Sequence, residues 1–197
     1  PHTETYASLK DFRRQYGDNS KDIGFELPCV FKFDWGGEGE TVYRIDSSID
    51  LENVLQKAAD FEKSGQKGFL LQEYVPTEGK TLRVVIIGRT LVSYWRIQES
   101  NDAFLSGVSQ GARIDADLEP ERQNVARVFV KNLCNKTGIN LAGFDVIFAP
   151  VKEHIKPLML EINYFFGRRG LGGSDAYYKI LKNEIYNWLD QLDLKKL

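Results

Sequence analysis

Apolar residues recur along this chain at two spacings, and each spacing predicts one type of secondary structure. Apolar positions three and four residues apart predict amphipathic helices at Thr5–Tyr16, from Asp50 to near Ser64–Gly65, and at Glu121–Thr137. A fourth helix is predicted near the C-terminus, where the apolar stripe comprises Tyr178, Leu181, Ile185, Trp188 and Leu192.

The shorter apolar segments between these helices predict β-strands. They are "LPCVFKF", "TVYRI", "GFLLQEYV", "LRVVIIG", "TLVSYWRI", "LAGFDVIFA" and "PLMLEINYFF". The fourth and fifth segments are joined at Gly88–Arg89, and this tight connection predicts a hairpin. Residues 98–119 are polar and are predicted to be irregular. The combination of hairpins and helices predicts an α+β fold.

The last two predicted strands carry acidic residues within apolar surroundings. The strand period of two places Glu161 and Asn163 on one face of "PLMLEINYFF". If the preceding turn is centred near Glu153, Asp145 lies directly opposite Glu161 in an antiparallel pair. Like charges in that position destabilise a sheet. We therefore expect a group of opposite charge at this point.

Two carboxylates and an amide oxygen are suitable ligands for a divalent cation. Magnesium is typically held by one or two carboxylates, with phosphates and waters completing the shell. The alternative interpretation is a solvent-facing sheet with scattered polar residues. The apolar residues assigned to the same face disfavour it, because polar groups within an apolar stripe need partners. These residues are Ile147, Met159 and Phe165.

A lysine lies on a predicted strand directly before a glycine-rich loop. In "FKFDWGGEG", Lys32 precedes Gly36, Gly37 and Gly39. Glycine backbone allows N–H groups to approach an anion closely, and lysine supplies a point charge for phosphate. The spacing is not that of a Walker motif. A simple hairpin turn is the alternative, so this loop predicts a phosphate site only together with other features.

Charge and cysteine content exclude several classes of function. Lys and Arg number 26 against 28 Asp and Glu, and no basic run indicates a nucleic-acid partner. No apolar run approaches the ~20 residues that span a bilayer. Cys29 and Cys134 lie in apolar segments, which predicts reduced core thiols in a cytoplasmic protein. The only histidines are His2 and His154, which makes a histidine-dependent triad or a zinc site a poor hypothesis.

The order of these motifs resembles the C-terminal module of ATP-grasp enzymes, closest to ribosomal-protein glutamate ligases and bacterial glutathione synthetases. The resemblance extends from about residue 28 to 167 and comprises "VFKFDWGGEG", "LLQEYV", "LRVVIIG", "GFDVI" and "LEIN". It implies two lobes, each with an antiparallel sheet and helices, with nucleotide bound between them. The implied lobes are a small flap lobe at 1–75 and a large metal-binding lobe at 76–197. The family's upstream domain is expected to be absent from this chain.

The resemblance also implies roles for individual residues. Lys32 would contact the α- and β-phosphates, and Gly36, Gly37 and Gly39 would form a mobile flap. The hinge would be "QEYV", which runs from Gln72 through Glu73 and Tyr74 to Val75, with the backbone groups of Glu73 and Val75 contacting the adenine edge. Arg83 and Arg96 would lie near the triphosphate or the reacting carboxylate. One or two magnesium ions, or manganese, would be held by Asp145, Glu161 and Asn163.

Three departures from the family pattern affect the prediction. Thr81 stands where relatives often have a ribose-binding acid, which moves the expected ribose contact to Glu78. Leu105 and Gly107 align with an arginine and an asparagine of the relatives. "NYFFGRRGLGG" replaces a short Ser-Pro-Gly turn, and its two arginines are predicted to grip a carboxylate or phosphate bidentately. These arginines are Arg168 and Arg169.

The implied reaction is ATP- and magnesium-dependent ligation of a carboxylate to an amine through an acyl phosphate. The implied partners are small-molecule or peptide carboxylates and amines. Three alternatives remain open: a nucleotide-binding sensor or scaffold of the same fold, an ATP-grasp kinase, and a non-nucleotide binding module with structural calcium. The altered loop at residues 104–112 favours the first alternative, and the intact acidic set disfavours it.

Overall fold

The computed structural model describes residues 1–17, 23–36, 40–98, 111–149 and 156–194. Within these ranges the chain divides into two units, Pro1–Val75 and Pro76–Leu197. The predicted α+β class is confirmed, because each unit contains one antiparallel sheet packed with helices.

The first unit contains a four-stranded antiparallel sheet with strand order β1-β4-β2-β3. The two central strands, which pair with each other, are the one that begins at Cys29 and the one that ends at Glu73. The elements in chain order are β1 (Thr3–Tyr6), α1 (Leu9–Tyr16), β2 (Cys29–Phe33), β3 (Val42–Ile45), α2 (Ser48–Lys63) and β4 (Phe69–Glu73).

The predicted start of the first helix at Thr5 is wrong. Residues Thr3–Tyr6 form strand β1, which pairs with β4, and helix α1 begins at Leu9. Ser8 caps the helix, since its hydroxyl accepts a hydrogen bond from the backbone N–H of Asp11. The cap fixes the true boundary.

Alternation along the strands gives the first sheet two different faces. The face carrying Phe31, Phe69 and Leu71 packs against both helices and forms an aromatic-rich core. The register pairs Lys32 with Leu70 and Val30 with Gln72. These four residues therefore lie on the opposite face.

Both cysteines are free and buried, in agreement with the predicted reduced core thiols. Burial raises the pKa of Cys29 to about 11, and the nearby charge of Asp46 acts in the same direction. Because the Cys29 thiol ionises less readily in the folded state, its contribution to the free energy of unfolding is fully present below the unfolded pKa of 9.0. That contribution is lost as pH rises through the folded value of about 11.

We expect Cys29 to resist thiol reagents in the folded protein at pH 8 and to react rapidly after denaturation. The reason is that only the thiolate reacts and the buried group stays protonated. A colorimetric thiol assay with and without urea measures this. Rapid labelling of the native Cys134→Ser protein, in which Cys29 is the remaining cysteine, would contradict it.

The second unit contains a five-stranded antiparallel sheet with strand order β7-β6-β5-β8-β9. The predicted hairpin at Gly88–Arg89 is confirmed, and it joins β5 to β6. Its elements are β5 (Lys80–Ile87), β6 (Thr90–Ile97), β7 (Arg113–Asp115), α3 (Pro120–Thr137), β8 (Leu141–Phe148), β9 (Pro157–Asn163), a 3-10 turn (Arg169–Leu171) and α4 (Ser174–Gln191). The expectation that residues 98–119 are irregular is wrong for β7, a three-residue strand whose shortness gives no detectable alternation.

The two faces of the second sheet are covered by different helices. Helix α3 packs with Leu82, Phe144 and Val146 on one face. On the other face Tyr94 packs with Leu171 and Tyr177. The C-terminal helix forms as predicted, but most of its predicted apolar stripe, Tyr178, Ile185, Trp188 and Leu192, is exposed. No described helix is long and apolar enough to span a membrane.

Strand β9 contains a β-bulge next to the acidic residues. The predicted pairing of Asp145 with Glu161 is confirmed, but the register then passes to Val146 and Met159, which leaves Leu160 as the extra residue. The extra residue reverses the alternation. The assignment of Met159 to the face of Glu161 is therefore wrong, because Met159 packs with the α3-side core.

Candidate functional site

Asp145 is the centre of a buried ion cluster in the second unit. Only 5% of its surface is exposed. Arg83 donates from Nε to Oδ1 at 2.5 Å and from Nη2 to Oδ2 at 3.0 Å. Arg96 adds a contact from Nη2 to Oδ2 at 2.8 Å. Two guanidinium groups thus bind one carboxylate, and bidentate pairs of this type are the strong ones.

Strand register explains why these three residues meet. Arg83 of β5 lies opposite both Tyr94 of β6 and Asp145 of β8. Arg96 follows Tyr94 by two positions, so its side chain emerges on the same face. Arg96 also donates hydrogen bonds from Nε and Nη2 to Thr81 Oγ1, at 3.2 and 3.0 Å. Three neighbouring strands therefore bring their charged groups to one point.

Gly143 makes room for the Arg83 side chain. A Cβ atom at this position would lie 2.9 Å from Arg83 Nη1 and 3.2 Å from its Cδ. A glycine inside a strand often marks such a close approach. Burial acts to lower the pKa of Arg83, but the charge of Asp145 and the hydrogen bonds to it outweigh burial and raise that pKa. Arg83 is a permanent cation at this site.

The other predicted metal ligands lie beside this cluster. Asn163 donates from Nδ2 to Asp145 Oδ2 at 3.4 Å, and Glu161 lies directly across from Asp145 with its side chain exposed. Among the described residues no group of three His, Cys, Asp or Glu side chains converges. The donor set is two carboxylates and one amide, which suits a hard cation. A cation reaching Asp145 would have to compete with the two guanidinium groups.

A glycine contact fixes the segment that follows the acidic strand. A Cβ atom on Gly170 would lie 2.2 to 2.5 Å from three ring carbons of Tyr94. Burial raises the pKa of Tyr94, while the charges of Arg83 and Arg96 oppose that shift. The neutral Tyr94 ring is thus the surface on which Gly170 is packed.

The two arginines of this segment have different surroundings. The Arg168 guanidinium lies 4.7 Å from the ring centroids of both Tyr177 and Tyr178, and its Nη1 is 3.5 Å from Ser174 Oγ. Arg169 begins the 3-10 turn and is exposed. Arg168 is therefore held by cation–π contacts. Arg169 presents its charge to solvent.

The predicted phosphate residues lie in the first unit. Lys32 lies on β2, on the face opposite the helices. Gly36 has φ 98°, and the Thr41 side chain occupies the space that a Cβ would need. Gly37 and Gly39 lie outside the described residues, as do Leu105 and Gly107.

The predicted hinge begins within the last residues of β4, which ends at Glu73. The Glu73 backbone N–H donates to the carbonyl of His2 at 2.9 Å, so of its two backbone groups the carbonyl remains as a candidate adenine contact. Arg44 stacks 4.6 Å above the Tyr74 ring, and Val75 is buried. In the second unit Glu78 has φ 51°, is exposed, and lies 3.7 Å from Lys80 Nζ.

Three residues that pack around the ion cluster were not singled out by the sequence analysis. Tyr94 and Gly170 form the contact that fixes the segment after β9, and Gly143 accommodates Arg83. The signal for Gly143 was present, since it lies inside the apolar segment "LAGFDVIFA". Tyr94 and Gly170 are far apart in sequence, and no local pattern links them.

A match to a known sequence profile identifies the family of this chain. The sequence profile of the RimK-like ATP-grasp domain matches residues 7–186. The chain belongs to this family. No curated protein sequence matches it significantly. The predicted ATP-grasp resemblance is thereby confirmed.

Solved structures show that this RimK-like ATP-grasp domain shares the ATP-grasp fold. A RimK domain ATP-grasp protein from Sphaerobacter thermophilus DSM 20745 superimposes with a TM-score of 0.61 at 13% identity, covering 93% of this chain and 60% of that one. D-alanine–D-alanine ligase from Bacillus anthracis gives 0.64 at 14%, covering 97% and 64%. N5-carboxyaminoimidazole ribonucleotide synthetase in its ADP complex gives 0.58 at 14%, covering 86% and 41%. The RimK-like domain thus spans less than two thirds of each protein.

Proposed function

We propose that this chain is the nucleotide- and metal-binding module of an ATP- and magnesium-dependent ligase that joins a carboxylate to an amine. The observation that carries the proposal is the cluster of Asp145 with Arg83 and Arg96, with Glu161 opposite. It combines anionic ligands for a cation with cationic groups for phosphate. The first unit supplies the flap lobe, and the second supplies the metal-binding lobe.

The acidic residues fit a magnesium ion. Asp145, Glu161 and Asn163 would hold it, with manganese as the alternative ion. The ion, when bound, supplies charge neutralisation on the phosphate oxygens. Since Asp145 already binds two arginines, metal binding would release guanidinium hydrogen bonds. Those donors would then become available to the nucleotide or to the reacting carboxylate.

The reaction would proceed in two balanced steps. A substrate carboxylate attacks the γ-phosphorus, so that an acyl phosphate forms and ADP leaves. An amine then attacks the acyl carbon and releases phosphate, with loss of its proton. Arg83 and Arg96 stabilise the negative charge that develops during phosphoryl transfer. This reaction depends on alignment and charge neutralisation more than on covalent catalysis by the protein. Arg169 is the exposed candidate for holding a substrate carboxylate, and Arg168 supports the segment that carries it.

The substrates would be a small-molecule or peptide carboxylate and an amine. Relatives of the fold support this class, since one neighbour is a D-alanine–D-alanine ligase and another an L-amino acid ligase. Free, buried thiols support a reducing, cytoplasmic setting. Glu73, Tyr74 and Val75 would bind the base, and Glu78 the ribose.

Phosphate release by the full-length protein tests the function directly. We expect ATP-dependent phosphate release that requires magnesium and is stimulated by one amine and one carboxylate from an amino-acid panel. An amide product identifies the ligase, whereas a stable phosphorylated product would identify a kinase. Binding of a non-hydrolysable ATP analogue without turnover on any panel member would favour a sensor role. Absence of nucleotide binding would reject the proposal.

Replacement of Lys32 by glutamine should weaken binding of the non-hydrolysable ATP analogue by about 10- to 100-fold, because a charged hydrogen bond to phosphate is lost. Calorimetric titration measures the change. Lys67→Gln is the matched control, since Lys67 is an exposed lysine of the same unit. Equal affinities for the two variants would remove Lys32 from the phosphate site.

A further inference from the structure

A groove between the two helices of the first unit is lined mainly by positive charge. It has a volume of about 510 Å³, which lies in the range of ligand-binding pockets. Its cationic side chains are all exposed, and they are Lys10 and Arg13 of α1, Lys63 of α2, and Lys67 of the segment before β4. We call this feature the basic groove.

The floor of the basic groove is apolar. Leu9, which is 4% exposed, and the half-buried Ala59 supply the apolar surface. Glu62 is the acidic residue of the lining, and its Oε1 accepts a hydrogen bond from the Leu9 backbone N–H at 2.6 Å. This carboxylate is thereby engaged with the positive end of the α1 dipole. Four cations and one carboxylate leave the lining with a net charge of +3.

Lys10 occupies a position that is unfavourable for helix stability. It is the second residue of α1, where a positive charge opposes the helix dipole. Arg13 and Arg14 follow it by three and four residues, and like charges at these spacings destabilise a helix. An acidic residue at position 10 would make a more stable helix. The lysine therefore indicates a role in binding an anion.

The chemistry of the lining decides which anion suits the basic groove. Sites for a small anion use backbone N–H groups or forked arginine contacts, whereas three of these four cations are exposed lysines and the Leu9 N–H is occupied. No aromatic side chain among the described lining residues offers a base a stacking surface, which disfavours nucleic acid. An apolar floor with a cationic rim is complementary to a peptide that carries both acidic and apolar side chains.

We infer that the basic groove is a docking site for an acidic segment of a partner protein. Acidic side chains of the partner would contact the lysines, and an apolar side chain would pack on Leu9 and Ala59. Both helices cover one face of the first sheet, whereas Lys32 emerges on the opposite face. Docking is thus separate from the proposed phosphate contact and goes beyond the proposed function.

Fluorescence anisotropy with a labelled peptide of the repeat Glu-Glu-Leu tests this inference on the full-length protein. We expect micromolar binding that weakens at least about fivefold between about 50 and about 300 mM salt, because exposed ion pairs are screened. A Gln-Gln-Leu peptide of the same length should bind at least about tenfold more weakly. Equal affinity for the two peptides would overturn the inference, since the groove would not select acidic side chains.

Substitution of Lys10 locates the binding on the protein. Lys10→Glu should weaken binding of the Glu-Glu-Leu peptide about three- to thirtyfold, and Lys10→Gln should cause a smaller loss. The melting temperature of Lys10→Glu should be no lower than that of the wild type, because an acidic residue suits the first turn of α1. A loss of binding without a loss of stability separates docking from a structural role.

Lys131→Glu is the matched control for total charge. Lys131 is an exposed lysine of α3 in the second unit, and its substitution changes the net charge by the same amount. Peptide affinity should stay within about twofold of wild type. Equal affinities of Lys10→Glu and Lys131→Glu would overturn the inference, because binding would then depend on overall charge or on another surface.

Two further ligands separate the remaining explanations. An oligothymidylate with as many charges as the peptide should bind more weakly than the peptide. Tighter binding of the oligonucleotide that is lost in Lys10→Glu would make nucleic acid the occupant and overturn the inference. The non-hydrolysable ATP analogue should bind Lys10→Glu and wild type equally. If this analogue does not bind the wild type while the peptide results hold, the proposed function fails and the docking site stands.

Discussion

Replacing Asp145 by asparagine will lower both the stability and the turnover of this protein, whereas replacing Glu161 by glutamine will lower turnover alone. Asp145 is buried between Arg83 and Arg96, and Asn removes the negative charge that both guanidinium groups bind. Leaving a buried charge without its partner costs about 3–5 kcal/mol of unfolding free energy. Glu161 is exposed, so its substitution should change that free energy by less than about 0.5 kcal/mol.

Turnover should fall by about 100-fold or more in both variants, since each removes a proposed ligand and metal ions supply several kcal/mol to the transition state. Urea unfolding and magnesium-dependent phosphate release measure the two effects on the same preparations. A stable Asp145→Asn protein would show that the ion cluster does not stabilise the fold. Unchanged magnesium dependence in Glu161→Gln would remove Glu161 from the metal site.

The substitution Gly170→Ala is expected to destabilise the protein and to displace the segment that carries Arg169. The added Cβ would lie 2.2 Å from Tyr94 Cζ, and Tyr94 is only 3% exposed, so its ring has little room to move. Overpacking of this type costs about 1–3 kcal/mol of unfolding free energy. A displacement of about 1 Å near reacting groups can lower turnover about 100-fold.

Gly167→Ala provides the matched control for this prediction. No atom lies within 4 Å of a Cβ at Gly167, and its φ is not positive, so alanine should be tolerated there. In a Tyr94→Leu background the cost of Gly170→Ala should become smaller, because the two positions are in direct contact. Equal costs of Gly170→Ala in both backgrounds would show that Tyr94 is not the obstacle.

The pairing of the acidic residues could be predicted by counting, but their surroundings could not. Asp145 and Glu161 are equidistant from Glu153, and an antiparallel hairpin places such residues opposite each other. The contacts of Arg83 and Arg96 with Asp145 depend on the order β6-β5-β8, which no local pattern encodes. The residue types along the chain therefore predicted an ion site, but they did not predict that two arginines contact Asp145 within it.

The errors have equally local causes. Tyr6 fits both the helical spacing and a strand. The boundary between β1 and α1 is set by Ser8, whose hydroxyl accepts the capping hydrogen bond of the helix. Met159 was placed on the wrong face because an extra residue in a strand leaves no trace in "LMLEIN". Side-chain alternation is reliable only while the ladder is regular.

The β-bulge at Leu160 also has a consequence for comparing this chain with its relatives. Here the core residue Met159 lies two positions before the acidic residue, whereas an unbroken strand would place core residues one and three positions before it. An ungapped alignment anchored on Glu161 would therefore match Met159 to a residue of the opposite face in any relative without the bulge. Aligning such sequences correctly requires a one-residue gap at position 160.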